Sequence, residues 1–342
     1  MQLDLFDSTP IPIEDKGKRR AAQVLGHIVR NTPEDAVVSV ADIRFEEDLR
    51  LTYPTSSSSM PVTNLVHSHA LQLASGYLKI PWGYVSGLLN EQSEWAKELC
   101  ATNLNTLLHH RRRGSRHLIR SVHGLVCGFM SANYKLMNSE LIADAFAEAC
   151  MDVGAELSDG YSNELRIALQ ATLPRTFTVR GKKYTVGVML KNSDFRKGPL
   201  SVSFLIGRPG KWCINGHEGL RRVHKGRRLD EKNLELLRSQ DSSDAAKATA
   251  GLVHQHLSPE NIKVVMEEVA LAESEHVDPS AVSKMLHSLA LTDVELQCIL
   301  ERIKDEPTRM DLAAALAWLA ETELGIDRKL DFMAFAGGLV MK

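Results

Sequence analysis

The chain has 342 residues, of which 44% are hydrophobic and 25% charged, a composition typical of a folded globular protein with one large core or two ordinary ones. No stretch approaches the 18 consecutive apolar residues of a membrane-spanning helix, and the first residues, MQLDLFDSTP, lack the cationic and apolar segments of a secretory signal. We therefore expect a cytoplasmic protein without a membrane partner.

The formal net charge of -2 hides a strong asymmetry along the chain. Residues 106–135 carry six basic and no acidic side chains, and residues 175–228 carry fourteen basic and two acidic ones. Residues 229–342 carry 11 basic and 21 acidic side chains. Because binding follows the local field rather than the total charge, the near-neutral sum does not argue against a polyanionic partner.

The amino-terminal half is predicted to be mainly helical. Residues 1–62 have the pattern of a leader, with a cationic amphipathic helix over 16–30 and a flexible serine loop over 56–59. Apolar residues at helical spacing then predict helices from residue 65 to residue 110. The period changes near residue 116, where alternation about Gly124 predicts a hairpin, and a helix is expected to start on Asn138 or Ser139.

The next segment predicts strands and the last one helices. Runs of β-branched and aromatic residues separated by RGKK, SDFRKGP and GRPGK predict hairpins up to residue 224. After residue 230, helices are predicted to open on Ser258, Asp278, Thr292 and Asp311. The expected fold is α+β: one antiparallel sheet over about 116–224, flanked by N-terminal helices and a C-terminal helical bundle. The expected regions are 1–62, 63–228 and 229–342.

A family resemblance follows from the order of several motifs. HALQLASGYLKIPWGYVSGLL, NLNTLL, SANYKLMN, WCINGHEGLRRVH, MDLAAALAWLAE and FAGGLVM occur in this sequence in that order. Together they resemble the pattern of the DUF932 family of phage- and plasmid-like proteins, over roughly residues 40–342. The resemblance implies a cytoplasmic protein related to a prophage or another mobile element. It implies no chemistry and no catalytic residues.

Two basic clusters are predicted to contact nucleic acid, because arginine forks pair with phosphates and each neutralised phosphate releases counterions. The first cluster lies just before the Gly124 hairpin and within its first strand. The second cluster is spread along the later strands and their turns, a segment that also contains Arg175 and Arg180. The candidate residues are Arg111, Arg112, Arg113, Arg116, Arg120, Lys182, Lys183, Lys191, Arg196, Lys197, Arg208, Lys211, Arg221, Arg222, Lys225, Arg227 and Arg228. The alternative is a set of solvated faces that pair with the acidic helices or with another subunit.

Two aromatic residues in the basic sheet are candidates for stacking on bases. Phe195 and Trp212 are expected at hairpin tips or strand ends, whereas the alternation of its strand places Phe204 in the core. The alternative for both candidates is simple packing at the edge of the sheet.

No metal site or cofactor is predicted. Cys213, His217 and His224 are possible zinc ligands, but a fourth ligand is missing at a suggestive distance. The sequence NGHEG is better explained as a hairpin turn on Asn215 and Gly216. The chain contains no phosphate-binding loop, dinucleotide fingerprint, HExxH or GxSxG motif, so no catalytic residue is predicted.

The function expected from these patterns is non-catalytic binding of nucleic acid, favouring single-stranded DNA, in replication or recombination of a phage or plasmid, with strand annealing as one such role. Two alternatives stay open. A metal-dependent nuclease or nucleotide-modifying enzyme would have to recruit its carboxylates from distant helices. A protein interaction module would use the basic sheet to dock acidic helices of a partner or of another copy in a homo-oligomer.

Overall fold

A computed structural model describes residues 15–55, 58–111, 114–222, 234–278, 291–303, 306–321 and 325–341, and it confirms the α+β class. The described helices are α1 (Asp15–Arg30), α2 (Ser68–Leu78), α3 (Trp82–Asn90), α4 (Glu94–Arg111), α5 (Ser139–Asp152), α6 (Leu234–His256), α7 (Pro259–Ala272), α8 (Asp293–Leu300), α9 (Arg309–Glu321) and α10 (Ile326–Val340). The strands are β1 (Glu34–Ser39), β2 (Arg44–Phe45), β3 (Leu51–Tyr53), β4 (Val62–Val66), β5 (Arg116–Val122), β6 (Leu125–Ser131), β7 (Glu156–Ser162), β8 (Ile167–Val179), β9 (Lys182–Asn192), β10 (Leu200–Arg208) and β11 (Trp212–Arg222). Among the described helices, none has both the length and the apolar character to cross a membrane.

The first sheet has six strands in the order β1-β5-β6-β4-β3-β2, and all its pairs are antiparallel except β4 with β6. Helices α2 to α4 pack on it around a core that includes Phe45, Leu104 and Phe129. Its β5–β6 hairpin turns on His123 and Gly124, whose φ angles of 49° and 77° are typical of a two-residue hairpin turn. The hairpin predicted about Gly124 is therefore confirmed.

The second sheet has five antiparallel strands in the order of the chain, β7 to β11. Because side chains alternate along each strand, one face gathers apolar residues such as Leu169, Val188 and Phe204. Helices α5, α6 and α7 cover this apolar face and complete the larger core. The expected burial of Phe204 is confirmed, since that side chain is 1% exposed.

The opposite face of the second sheet is polar, with Gln170, Ser203 and Asn215 buried on it. Helices α9 and α10 pack against β11 on this side. The helix α10 approaches the strand so closely that a Cβ atom on Gly337 would lie 1.7 Å from the carbonyl oxygen of Asn215. The close contact therefore requires a residue without a side chain, glycine, at position 337 of α10.

The starts of two C-terminal helices follow the predicted caps. Ser258 Oγ accepts a hydrogen bond from Asn261 N at 3.3 Å, and Pro259 occupies the first turn of α7. Thr292 and Glu295 form a reciprocal capping box at the start of α8. The helix predicted to open on Asp278 falls on residues 279–290, outside the described residues.

The structure corrects two predictions of organisation. Residues 116–131 do not join the later strands, because β5 pairs with β1 and β6 pairs with β4, so the single expected sheet is two sheets. The described part of residues 1–62, the segment expected to be a leader, contributes to the packing of both sheets. Helix α1 packs on β7 with Ala21 and Val24 in the larger core, and β1 to β3 lie in the first sheet. The apolar stripe of α1 explains this docking, since its burial stabilises the folded chain.

The turn expected at Asn215 and Gly216 is also corrected. Strand β11 continues through both residues, and Asn215 lies opposite Leu205 of β10. Extra residues of β11 are absorbed as bulges between Val202 and Leu205. The chain turns earlier, over residues 209–211, where Lys211 N donates to the carbonyl of Arg208 at 3.0 Å.

Three side chains of the first sheet region contact the second sheet region. His69 Nε2 lies 2.8 Å from the carbonyl oxygen of Phe195, and His67 Nε2 lies 3.0 Å from Glu164 Oε2. Arg120 donates to the carbonyl oxygen of Asp194 at 2.9 Å. These contacts join the two layers on the side of the β9–β10 connection.

We expect the free energy of unfolding to fall as the pH drops below about 6.5, in part because of His69. Burial lowers the pKa of His69 below its usual 6.5, against the raising effect of its hydrogen bond to Phe195. The unfolded chain then takes up a proton that the folded chain does not, so stability is lost as the pH falls through 6.5 and levels off below the folded pKa. One such proton contributes at most about 1.4 kcal/mol per pH unit.

Urea unfolding at pH 7.5 and 5.5 measures this effect. His69→Gln should reduce the difference between the two pH values, because the amide does not titrate. An equal pH dependence in the variant and the parent protein would contradict the assignment to His69.

Candidate nucleic-acid interface

The predicted cations of the second sheet lie at its two opposite ends. The hairpin end is defined here by the turns at 180–181 and 209–211, and it carries Lys182, Lys183, Arg208 and Lys211. The loop end is defined by the connection 193–199, and with the ends of the neighbouring strands it carries Lys191, Arg196, Lys197, Arg221 and Arg222. Lys183 and Lys191 are eight residue steps apart along β9, which separates the two groups by roughly 26 Å. The predicted cations of this sheet therefore form two separate groups and not one continuous face.

The described residues of the first cluster belong to α4 and to the first sheet. Arg111 ends α4, and Arg116 is exposed at the start of β5, where it donates to the carbonyl oxygen of Val37 at 3.3 Å. Arg112, Arg113, Lys225, Arg227 and Arg228 lie outside the described residues, so their predicted contacts stay predictions.

Arg120 is a structural residue and not a surface cation. Its side chain is 1% exposed, and its guanidinium donates to Asp35 Oδ1 at 2.7 Å and to Asn138 Oδ1 at 2.8 Å, besides the Asp194 carbonyl. A phosphate cannot reach a group enclosed in this way without displacing those partners. The prediction that Arg120 contacts nucleic acid is therefore corrected.

Two further predicted cations share one carboxylate within the protein. Glu273, at the end of α7, accepts from Lys182 and from the hydroxyl of Tyr184, and Arg208 Nη2 donates to it at 3.0 Å. The Glu273 side chain is 3% exposed. Burial and then the hydrogen bond to Glu273 raise the pKa of Tyr184, so its hydroxyl stays protonated and donates. Lys182 and Arg208 thus have an internal counterion, which lowers the charge they offer to a ligand.

The two candidate stacking rings have different environments. Phe195 is 5% exposed, and its backbone carbonyl accepts from His69, so its ring has no face open to a base. The prediction for Phe195 is corrected for that reason. Trp212 is half-buried at the first position of β11 and borders two clefts.

One of these clefts, the sheet cleft, crosses the polar face of the second sheet at the hairpin end and has a volume of about 270 Å³. Helix α10 covers the loop half of this face and α9 ends at Glu321, so the residues that the structure describes leave the hairpin half open. Every strand contributes to its lining. These residues are Asp159 of β7, Gln170 of β8, Thr185 of β9, Leu205 of β10 and Cys213 of β11.

A polar network forms the wall of the sheet cleft beside β7. Arg20 of α1 pairs with Asp159 through two hydrogen bonds of 2.6 Å, and the Tyr161 hydroxyl donates to the same carboxylate at 2.6 Å. Lys329 of α10 pairs with Glu321 at 2.8 Å, and its Nζ lies 4.2 Å from the centroid of the Tyr161 ring. Burial raises the pKa of Tyr161. These pairs position charged groups rigidly but leave little net charge on this wall.

Cys213 in the sheet cleft does not have the properties of a nucleophile. Its Sγ lies 3.6 Å from Glu321 Oε1, and burial and this neighbouring carboxylate raise the pKa of the thiol. A thiol held protonated is a weak nucleophile. Among the described residues, no group of three histidine, cysteine or acidic side chains is arranged to hold a metal. His224 lies outside those residues and the side chain of His217 is not described.

The second cleft, the tryptophan cleft, lies between the β10–β11 turn and helix α9 and has a volume of about 450 Å³. Lys211 and Trp212 line one side, and Arg302 and Trp318 line the other. The guanidinium carbon of Arg302 lies 3.2 Å from the centroid of the Trp318 ring. Sequence reasoning missed both Arg302 and Trp318, because each lies in an acidic or alanine-rich helical segment far along the chain from the basic strands.

Comparisons with known proteins give no relative. No family model, no curated protein and no solved structure matches this chain. The resemblance to the DUF932 family therefore stays a prediction.

Proposed function

We propose that this protein binds single-stranded nucleic acid at the hairpin end of the second sheet. The observation that supports this proposal most is the open sheet cleft, which is lined by the Trp212 ring and by Lys211 of the β10–β11 turn. The exposed residues Arg180 and Lys183 belong to the neighbouring hairpin at the same end of the sheet. Proteins that bind single strands combine cations along the backbone with aromatic rings on which bases stack. A duplex offers no free base face to such a ring, so single strands should bind more tightly.

The dimensions of the sheet cleft suit a short length of extended strand. It spans five strands, which at the usual spacing of neighbouring strands gives a path of about 20 Å. The hydroxyls of Thr172 and Thr185 and the amide of Gln170 line this path and can form hydrogen bonds. Trp212 lies at one end of the path.

The cations expected to contact phosphate are fewer than the sequence suggested. Arg180, Lys183 and Lys211 are exposed at the hairpin end, while Lys182 and Arg208 share Glu273. With three phosphate contacts, the logarithm of the affinity should fall with the logarithm of the salt concentration with a slope of about -2.

Charge reversal tests the location of the site. Arg180→Glu combined with Lys211→Glu should weaken binding of a labelled single-stranded oligonucleotide by about tenfold or more at low salt and bring the slope close to zero. The measurement is fluorescence anisotropy over a salt series with single-stranded DNA, duplex DNA and RNA.

The matched control is Arg196→Glu combined with Lys263→Glu. It makes the same change of net charge at two exposed residues away from the sheet cleft, and it should keep most of the affinity. Equal losses in the two double variants, or a flat salt response in the parent protein, would overturn the proposal. Shortening of the oligonucleotide in Mg²⁺ but not in EDTA would support the nuclease instead.

The process served is proposed from the DUF932 resemblance. Replication or recombination of a phage or plasmid exposes single strands, and a binder with little sequence preference can support annealing of complementary strands. Acceleration of annealing between two complementary oligonucleotides, lost in the hairpin-end double variant, would support this role.

A further inference from the structure

Gly210, Lys211 and Trp212 line both clefts, so the two clefts adjoin at the β10–β11 turn. A strand that leaves the sheet cleft past Trp212 enters the tryptophan cleft beside Lys211. Helix α9 forms the far wall of the tryptophan cleft and contributes Trp318 to it, together with the small side chains of Ala314 and Ala315. Because alanine side chains are small, they leave room in the cleft beside the pair formed by Arg302 and Trp318.

We propose that the tryptophan cleft holds one unstacked nucleobase of the bound strand, stacked on the pair formed by Arg302 and Trp318, with Lys211 at the adjoining phosphate. This inference rests on the proposed function and adds a base-binding position to it. Binding is then not electrostatic alone, because one base contributes through its face.

The chemistry of the tryptophan cleft favours a nucleobase. The guanidinium carbon of Arg302 already lies within stacking distance of the Trp318 ring, at 3.2 Å from the centroid. Guanidinium planes and aromatic rings both stack on unpaired bases. Lys211 lines the opposite side of the cleft from Arg302 and is the cation available to the phosphate of the bound nucleotide, and the volume of about 450 Å³ is in the usual range for a small-ligand site.

The first test needs no variant of the protein. A single-stranded oligonucleotide is compared with one of the same length in which abasic sites replace the bases. Both carry the same phosphates, so the salt slope should be the same, whereas the abasic strand should bind about five- to hundredfold more weakly for each stacked base that is lost. Equal affinity of the two strands would overturn the inference and also the stacking of a base on Trp212, and would leave only the phosphate contacts of the proposed function.

The second test assigns the stacking to Trp318. Trp318→Leu should lose at least about fivefold in affinity for the normal strand and nothing further for the abasic strand, whereas Trp318→Phe, which keeps a ring, should lose less. The abasic strand also reports folding, because a misfolded variant would lose both strands. Unchanged affinity of Trp318→Leu for the normal strand would overturn the assignment, and so would equal losses for both strands in a variant whose circular dichroism and melting temperature match those of the parent protein.

A competition experiment with a free mononucleotide tests whether the tryptophan cleft binds a base of the bound strand or a free nucleotide. A free mononucleotide should compete only weakly with the oligonucleotide, because it lacks the contacts of the sheet cleft. A mononucleotide that binds as tightly as the oligonucleotide would overturn the strand-bound form of the proposal. A separate test of the proposed function is Arg180→Glu combined with Lys183→Glu, two exposed residues that do not line the tryptophan cleft. This variant leaves Lys211, Arg302 and Trp318 unchanged, so its loss of binding reports on the proposed function alone.

Discussion

Replacing Arg120 by methionine is expected to lower the free energy of unfolding by about 3 kcal/mol. The arginine joins β5 to Asp35 of β1, to Asn138 at the start of α5 and to the Asp194 carbonyl in the β9–β10 connection. Methionine fills part of the space but donates no hydrogen bond, so three acceptors lose their partner at once. Asp35 also loses its counterion. Chemical denaturation followed by circular dichroism measures the change.

The control for Arg120 is an arginine in an exposed ion pair. Arg44 has a side chain that is 69% exposed and lies 3.5 Å from Glu46, so Arg44→Met should change stability by less than about 1 kcal/mol. Similar small changes in both variants would show that the buried network does not hold the two sheet regions together.

Gly337→Ala is expected to destabilise the protein by about 3 kcal/mol. The added methyl group would lie 1.7 Å from the carbonyl oxygen of Asn215 and 2.4 Å from its carbonyl carbon, and both are backbone atoms. Because backbone atoms of a central part of β11 cannot rotate away, α10 would have to move off the sheet. Thermal unfolding measures the loss as a lower melting temperature.

The next residue of the same helix gives a matched control of opposite sign. A Cβ atom on Gly338 meets nothing within 4 Å, and alanine is favoured over glycine in a helix by about 0.5–1 kcal/mol. Gly338→Ala should therefore raise the melting temperature. If both substitutions moved stability in the same direction, the close packing of α10 on β11 would be wrong.

Local features of the fold were predictable because their signals lie within a few residues. The β5–β6 turn follows from Gly124 between alternating segments, and the starts of α7 and α8 follow from Ser258 and Thr292 as caps. Pairing between distant strands was not predictable. The short strand β4 pairs in parallel with β6 across about sixty residues of chain, and its sequence carries no local sign of that partner.

The start of α5 shows how tertiary contacts redirect a local signal. Asn138 is the N-cap, as expected, but its side-chain oxygen accepts from Arg120 and makes no cap hydrogen bond. The carboxylate of Asp194 accepts from Ser139 N at 2.9 Å instead. The sequence predicted where the helix begins, while the fold decided which acceptor satisfies its first N–H groups.

The candidate interface likewise has one feature that the sequence predicts and another that only the fold decides. The excess of cations over residues 175–228 is a property of the sequence, but which of them face solvent depends on the carboxylates that the fold brings to them. Glu273 and Asp35 neutralise Lys182, Arg208 and Arg120 from distant positions in the chain. Pairing of this kind has no sequence period, because it joins separate elements.

The sequence by itself determined the α+β class, the hairpins, the helix starts and the uneven charge, since propensity, capping and alternation act over one or two turns of chain. Only the tertiary structure decided that the strands form two sheets, that Phe195 and Arg120 are buried, and that Trp212 and Trp318 line the same cleft. The reason is physical: burial and long-range contacts depend on which surfaces exclude water together, and the chain settles that only when all its layers pack.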